Sequence, residues 1–369
     1  MEVNINKKNS GIIIAGMNSS DGKTFVTCLL LSALVKRGIS VQPFKIGPDY
    51  IDPGYHSHFS LRHSLNIDPW IMGKELVISE TKKFTENAFG LAEGVMGLFD
   101  GSEKQTDVGS SMEVSRWLNW QILLVVPCKN AGRSITAAIK GYVSEAGGIK
   151  HFAGIILNKV NSASHGEYLL KACAPLNIPL IGSLTEESKF FWPERHLGLQ
   201  PMLERKCVDR EDLADFAEEN IKIDFLLNKF SLKSGSRFVS KSKNRIRSNY
   251  PKRIAVAQDE AFHFYYAANL SWLKEQGLEI VLFSPLHDLQ VPKDTDAIIL
   301  GGGFPEVFAE KISLNKNMIE SLRKSIESGM PCYAECGGMM ILAEGLKLCS
   351  GELFSMAGVV PGIIEMTKQ

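Results

Sequence analysis

Nine residues near the start of the chain, Gly16-Met-Asn-Ser-Ser-Asp-Gly22-Lys23-Thr24, combine the types that phosphate chemistry needs. Glycines let backbone N–H groups close around oxygens, a lysine reaches the outer phosphates, and a hydroxyl faces a divalent cation. Gly16, Asn18, Ser19, Ser20, Asp21, Gly22, Lys23 and Thr24 are therefore the candidate ATP-binding residues. Five residues separate the two glycines where the usual phosphate loop has four, so the loop is a longer variant. A second group follows in Lys45-Ile-Gly-Pro-Asp49-Tyr50-Ile51-Asp52-Pro-Gly-Tyr55-His56. Two prolines and two glycines stiffen it as a loop. Asp49 and Asp52 offer carboxylates to metal or substrate, and Tyr50 and Tyr55 offer stacking surface.

These groups need a scaffold, and the apolar pattern supplies one. Gly11–Gly16 is a short β-branched run that stops at the glycine-rich turn, and a helical pattern covers Lys23–Arg37. The helix N-terminus then adds partial positive charge to the phosphate loop. Further strands are expected at Val41–Ile46, Gly90–Leu98, Ile122–Val126 and Phe152–Leu157. Strands alternating with helices predict an α/β fold with a mostly parallel sheet. Strand ends in such a sheet line the ligand crevice, which is where Lys45–His56 falls. Residues 228–252 are rich in Lys, Arg and Ser with weak apolar periodicity, the composition of a basic linker. A second α/β unit starts at Arg253–Gln258 and continues through Ile280–Phe283, Ala297–Leu300 and Cys332–Ala334. The expected domains are 1–227, the linker 228–252, and 253–369.

Composition narrows the function. Hydrophobic residues make up 44%, and Lys+Arg equals Asp+Glu at 41 each. A net charge of zero gives no drive toward nucleic acid or an anionic membrane. Seven cysteines without CxxC spacing indicate neither a disulfide framework nor a zinc site. The polar N-terminus and the absence of long apolar runs point to a cytoplasmic location.

The segments KIGPDYIDPGYH and LNIDPWIM (Leu65–Met72) together resemble the signature of the cobyrinic acid a,c-diamide synthase family. Glu93-Gly-Val-Met-Gly-Leu-Phe-Asp100-Gly resembles that family's Walker-B-like strand end, and Pro193–Leu199 its PERHLGL element. The resemblance implies a P-loop ligase domain of the dethiobiotin synthetase type, followed by a flavodoxin-like class I glutamine amidotransferase domain. It implies ATP-dependent amidation of the a and c carboxylates of a corrinoid in cobalamin biosynthesis. Ammonia or glutamine would supply nitrogen, and Mg²⁺ would accompany ATP. In these terms Thr24 and Glu93 hold the metal, and Asn158 at the end of the Phe152 strand meets the nucleotide base. Lys45 and Asp100 support catalysis, while Asp49, Tyr50, Ile51 and Asp52 touch the macrocycle. One departure stands out: Pro127 occupies a place where relatives carry Asp, and proline offers no carboxylate. Hydrogenobyrinic acid and nickel-sirohydrochlorin remain alternative substrates, and a non-catalytic remnant remains an alternative role.

The second unit resembles the amidotransferase half through Ala255–Tyr266, Phe283-Ser-Pro285, Gly301–Glu306 and Tyr333-Ala-Glu-Cys336-Gly-Gly338. Cys336 at a strand–turn–helix junction is the expected nucleophile, with the N–H groups of Gly302, Gly303 and Gly337 holding the oxyanion. The family's base is a histidine downstream of that cysteine, and none follows Cys336 here. A thiol without its base loses orders of magnitude in acyl transfer, so impaired glutaminase activity is expected. A homodimer and a second chain completing this domain are both open.

Overall fold

The computed structural model describes residues 10–103, 105–186, 190, 194–195, 198–199, 208–234 and 252–367. The chain divides into two compact units, Met1–Val239 and Ser240–Gln369. Most of the basic stretch 228–252 lies outside the described residues, as do Pro193, His196 and Leu197.

Seven parallel strands build the first unit. They are β1 (Gly11–Gly16), β2 (Val41–Ile46), β3 (Leu65–Ile67), β4 (Phe89–Gly97), β5 (Gln121–Pro127), β6 (Phe152–Val160) and β7 (Leu180–Thr185). Their spatial order is β3-β2-β4-β1-β5-β6-β7. Both faces carry helices: α1 (Lys23–Lys36), α2 (Asp52–Ser60), α3 (Pro69–Thr85), α4 (Ser111–Leu118), α5 (Ile135–Glu145), α6 (Ala163–Cys173), α7 (Arg210–Asn220) and α8 (Ile223–Phe230). All six residues of β1 and of β2 are buried, the pattern of strands covered on two sides. Helix α1 is buried nearly all round because α2 and α7 pack against it. Its phosphate loop is thereby fixed at the centre of the unit. A short antiparallel pair, β8 (Glu194–Arg195) and β9 (Gly198–Leu199), follows β7 in the chain.

The expected strands fall where the apolar runs lie, with ends shifted by a few residues. Lys45–His56 differs from the expected loop. Its second half is the start of α2, with Pro53 in the first turn, where a missing N–H costs nothing.

The second unit has a four-stranded parallel sheet in the order β12-β10-β13-β15. These strands are β10 (Arg253–Ala257), β12 (Glu279–Phe283), β13 (Ala297–Leu300) and β15 (Cys332–Ala334). A two-stranded antiparallel pair joins β11 (Phe262–Phe264) to β14 (Gly302–Gly303). Helices α9 (Ala267–Glu275), α10 (Ala309–Leu314), α11 (Lys316–Glu327) and α12 (Gly337–Leu342) surround it. A three-stranded sheet of β16 (Ala343–Lys347), β17 (Leu353–Ser355) and β18 (Val360–Glu365) ends the unit. Ala255, Phe262, Leu300, Met318, Leu322 and Ile341 belong to its own core.

Candidate functional site

The turn between β1 and α1 is held from several directions. Within it, Asn18 N–H donates to Asp21 Oδ2 at 2.6 Å, and Lys23 Nζ donates to the Asn18 carbonyl at 2.9 Å. From outside, Asn158 Nδ2 donates to Asp21 O at 2.8 Å, Lys159 Nζ to Ser20 O at 2.8 Å, and Tyr142 OH to Met17 O at 2.6 Å. Gly22 has φ 88°, and a Cβ there would stand 2.3 Å from Asn158 Nδ2, so only glycine fits. Asn18, Ser19 and Ser20 are exposed, while Asp21 and Lys23 are buried. Burial pushes the Lys23 ammonium down and the Asp21 carboxyl up. The loop is thus preshaped, with three exposed residues at the head of a buried helix. Asn158, expected at the nucleotide base, uses its amide to clamp this loop. Tyr142 and Lys159, absent from the sequence-based set, do the same from α5 and the end of β6.

A row of side chains crosses three neighbouring strands beside the loop. Lys45 on β2 is the direct partner of Glu93 on β4 and of Asn66 on β3. Parallel partners present side chains to one face, so the Lys45 ammonium reaches Glu93 Oε1 at 2.9 Å. Thr24 Oγ1 donates to the same oxygen at 2.9 Å. Lys45 also donates to Asp52 and lies 3.5 Å from Asp49 Oδ2. The other Glu93 oxygen, Oε2, meets His56 Nε2 at 2.6 Å. Lys45, Glu93 and His56 are 2%, 0% and 0% exposed, so these charges interact with little solvent screening.

Burial opposes ionisation of Glu93, yet the charges of Lys45 and then His56 hold its carboxyl well below the ordinary range. Burial likewise opposes the Lys45 ammonium, and Asp52, Glu93 and Asp49 outweigh it, so Lys45 stays charged. Burial pushes Asp52 up; Lys45 pulls it down, but Glu93 and Asp49 add to the rise. The Lys45 ammonium is thus shared among Asp52, Glu93 and Asp49, with His56 as a second partner of Glu93.

Asp49 does two jobs. Its Oδ1 accepts from the N–H groups of Ile51 and Asp52 at 2.8 and 3.0 Å, closing the entry to α2, while Oδ2 faces Lys45. Asn66 holds this turn by donating to Gly47 O and Asp49 O at 3.0 and 2.8 Å. Tyr50 is half-buried, and Ile51 is buried at 8% exposure. Asp100 is exposed, and its Oδ2 accepts from Gly97 N–H at 2.9 Å, closing the turn after β4. Pro127 pairs in register with Asn158, and the chain continues into a Cys128 N–H bond to Asn158 O at 2.7 Å.

The donors suit magnesium. A hydroxyl and a carboxylate oxygen converge at the head of α1, and Mg²⁺ accepts a few protein oxygens plus phosphates and water. Among the described residues no group of three His, Cys, Asp or Glu side chains forms a ready-made metal cage. A nucleotide-dependent ion requires no such cage.

In the second unit the chain reverses sharply at Cys336, which has φ 49° and ψ −117° and starts α12. A small left-handed φ on a non-glycine residue stores strain and projects the exposed thiol from the turn. Gly302 lies alongside, since a Cβ there would stand 3.4 Å from Cys336 Cβ. Gly337 packs on Gly303, where a Cβ would be 3.2 Å from the Gly303 nitrogen. Tyr265 OH secures the strand that leads there, accepting from Gly301 N–H at 2.8 Å and donating to Ala257 O at 2.6 Å. The four residues named from sequence therefore cluster. Among the described residues no histidine ring hydrogen-bonds Cys336; His263 on β11 meets Phe264 edge-on at 4.8 Å and lies tilted to Phe304 at 6.1 Å.

Residues 12–199 match the CobQ/CobB/MinD/ParA nucleotide binding domain, and residues 253–369 match the CobB/CobQ-like glutamine amidotransferase domain. The cobyrinate a,c-diamide synthase of Syntrophotalea carbinolica is 39% identical over 355 residues, 95% of this chain and 77% of its own. That of Caldanaerobacter subterraneus subsp. tengcongensis is 38% identical over 361 residues, 97% and 78% of the two chains. That of a Synechococcus strain is 39% identical over 363 residues, 96% and 78%. No described helix is long and apolar enough to cross a membrane.

Proposed function

Because this chain belongs to the cobyrinate a,c-diamide synthase family, we propose that it amidates the a and c carboxylates of cobyrinic acid with ATP, through a phosphorylated carboxylate. The observation that carries the reading is the convergence of Thr24 and Lys45 on one oxygen of Glu93 beside a preshaped phosphate loop. A carboxylate resists an amine because its leaving group would be far too basic. Attack of a carboxylate oxygen on the γ-phosphorus of ATP breaks the β–γ bridge bond and releases ADP. Ammonia then adds to the acyl carbon, the C–O bond to phosphate breaks, and the nitrogen loses a proton.

The chain's residues divide this work. The N–H groups of Gly16–Thr24 cradle the phosphates, and Lys23 neutralises them. Thr24 and Glu93 hold Mg²⁺, which when bound screens charge on the transferring phosphoryl group. Lys45 stands beside them as a second fixed cation for that group. Asp49, Tyr50 and Asp52 face the macrocycle at the strand ends, and Asp100 supports the turn beside the loop. Cys336 would attack the glutamine amide, with Gly302, Gly303 and Gly337 holding the oxyanion. Among the described residues no histidine ring hydrogen-bonds that thiol, and from this we infer that ammonium serves the polypeptide better than glutamine.

The test is an assay of purified protein with ATP–Mg²⁺ and cobyrinic acid, given ammonium or glutamine separately. Phosphate release and the mass of the amidated product are followed together. Product with ammonium and little with glutamine is expected, and Lys23→Ala should remove at least a hundredfold of the rate. Undiminished amidation by Lys23→Ala, or no product from either nitrogen source, would sink the reading.

A further inference from the structure

We propose that His56 is a positioning residue that sets the orientation of Glu93, and through it the Mg²⁺ affinity of the nucleotide site; this rests on the reading above. Asp52 and His56 are four residues apart on α2 and so share one face of that helix. Asp52 meets Lys45, while His56 passes beneath to Glu93. The division of the Glu93 carboxylate is complete. Oε1 accepts from Thr24 and Lys45 at 2.9 Å each, and Oε2 accepts from His56 Nε2 at 2.6 Å.

The ring is itself held. Its Nδ1 lies 3.4 Å from Ser64 Oγ, and that serine is tied to α2. Ser64 N–H donates to Ser57 Oγ at 2.8 Å, and Ser57 Oγ donates to Pro53 O at 2.6 Å. A line of hydrogen bonds thus runs from the backbone of α2 through the imidazole to the carboxylate. The final torsion of a glutamate is broad and roughly two-fold, so packing alone orients it weakly. With its far oxygen fixed by His56, the near oxygen stays aimed at Thr24. His56 is 0% exposed with both nitrogens engaged, so it touches neither nucleotide nor macrocycle. Partners that orient a metal-binding carboxylate typically change affinity about 10–100-fold when removed.

The experiment titrates Mg²⁺ into the full chain with a fluorescent ATP analogue and records the midpoint for nucleotide binding. His56→Ala should raise that midpoint at least about tenfold, while affinity for the analogue without Mg²⁺ stays at the wild-type value. His56→Gln, whose amide N–H can reach the same oxygen, should recover most of the shift. Ser64→Ala, a smaller change, should raise the midpoint a few-fold and decides the matter if His56→Ala does not fold. An unchanged midpoint in a folded His56→Ala overturns the proposal. So does a His56→Gln no better than alanine, or an equal loss of Mg²⁺-free binding. A wild-type chain that binds no nucleotide would defeat the proposed function as well; normal wild-type binding with unaffected variants would defeat the His56 role alone.

Discussion

Lys45 brings one positive charge into a space shared by Asp49, Asp52 and Glu93. Lys45→Met keeps the apolar stem and deletes the charge, leaving buried carboxylates without their cation. A loss of about 3–5 kcal/mol is expected, read from urea unfolding at pH 7. The pH dependence follows from Glu93, whose folded carboxyl lies well below its ordinary 4.5. Its contribution is present in full above that value and lost as pH falls through the folded one. The gap between wild type and Lys45→Met should therefore narrow as pH falls below about 4.5; a gap that stays constant from about pH 5 to about pH 2 would remove Glu93 from the account. At this scale the sequence was informative where chemistry is local. Lys23 and Thr24 are adjacent to the turn that uses them. The contact of Lys45 with Glu93 joins residues far apart in the chain, and spacing alone does not reveal strand register. His56 was missed for another reason: Pro53 and Gly54 suggested a loop, which hid the helical spacing from Asp52 to His56.

The sheet that carries these residues depends on close approaches at its opposite end. Trp120 lies across the starts of β1 and β4, where a Cβ on Gly90 would be 2.0 Å from its ring and one on Gly11 2.5 Å. Trp120 is 3% exposed and its Nε1 donates to Ser10 Oγ at 3.2 Å, so the ring has little room to retreat. Gly90→Ala should therefore cost about 1–3 kcal/mol by overpacking. That corresponds to a fall in melting temperature of roughly 2–4 °C per kcal/mol for a unit of this size. Nucleotide affinity should hold, since the site lies at the C-terminal strand ends; a stable Gly90→Ala would show that the ring does move. Strands with long buried runs, such as the five central residues of β5, were legible because an apolar run of that length has few alternatives. The three-residue β3 was not, since Leu65-Asn-Ile carries too little pattern, and β3 is the strand that brings Asn66 to the Asp49 turn. Strands β11 and β14 are just as hard to read, with three and two residues, and β14 consists of two glycines that carry no apolar pattern.

Two cores in one chain set the behaviour of the whole molecule. Ile13, Leu29, Phe44 and Val125 are fully buried in the first unit, while Phe262, Leu300, Met318 and Ile341 belong to the core of the second. The repeated strand–helix rhythm and the basic composition between the halves made this division readable. Its chemical meaning was less so, because α/β sheets serve many reactions and only the residues at their strand ends distinguish them. If the nucleotide is gripped by Gly16–Thr24, its binding energy belongs to the first unit alone. Heating the chain in a calorimeter should then give two transitions rather than one. ATP–Mg²⁺ at about a thousand times its Kd adds about 4 kcal/mol to the state that binds it. For the Met1–Val239 unit that corresponds to a rise of roughly 8–16 °C in one transition, with the other unmoved. Cys336→Ser should leave this nucleotide-dependent shift unchanged, because that thiol belongs to the other unit. Lys23→Ala should abolish it. A single transition that moves as a whole with nucleotide would mean that the two cores melt together, and the phosphate loop's energy would then be shared by the entire chain.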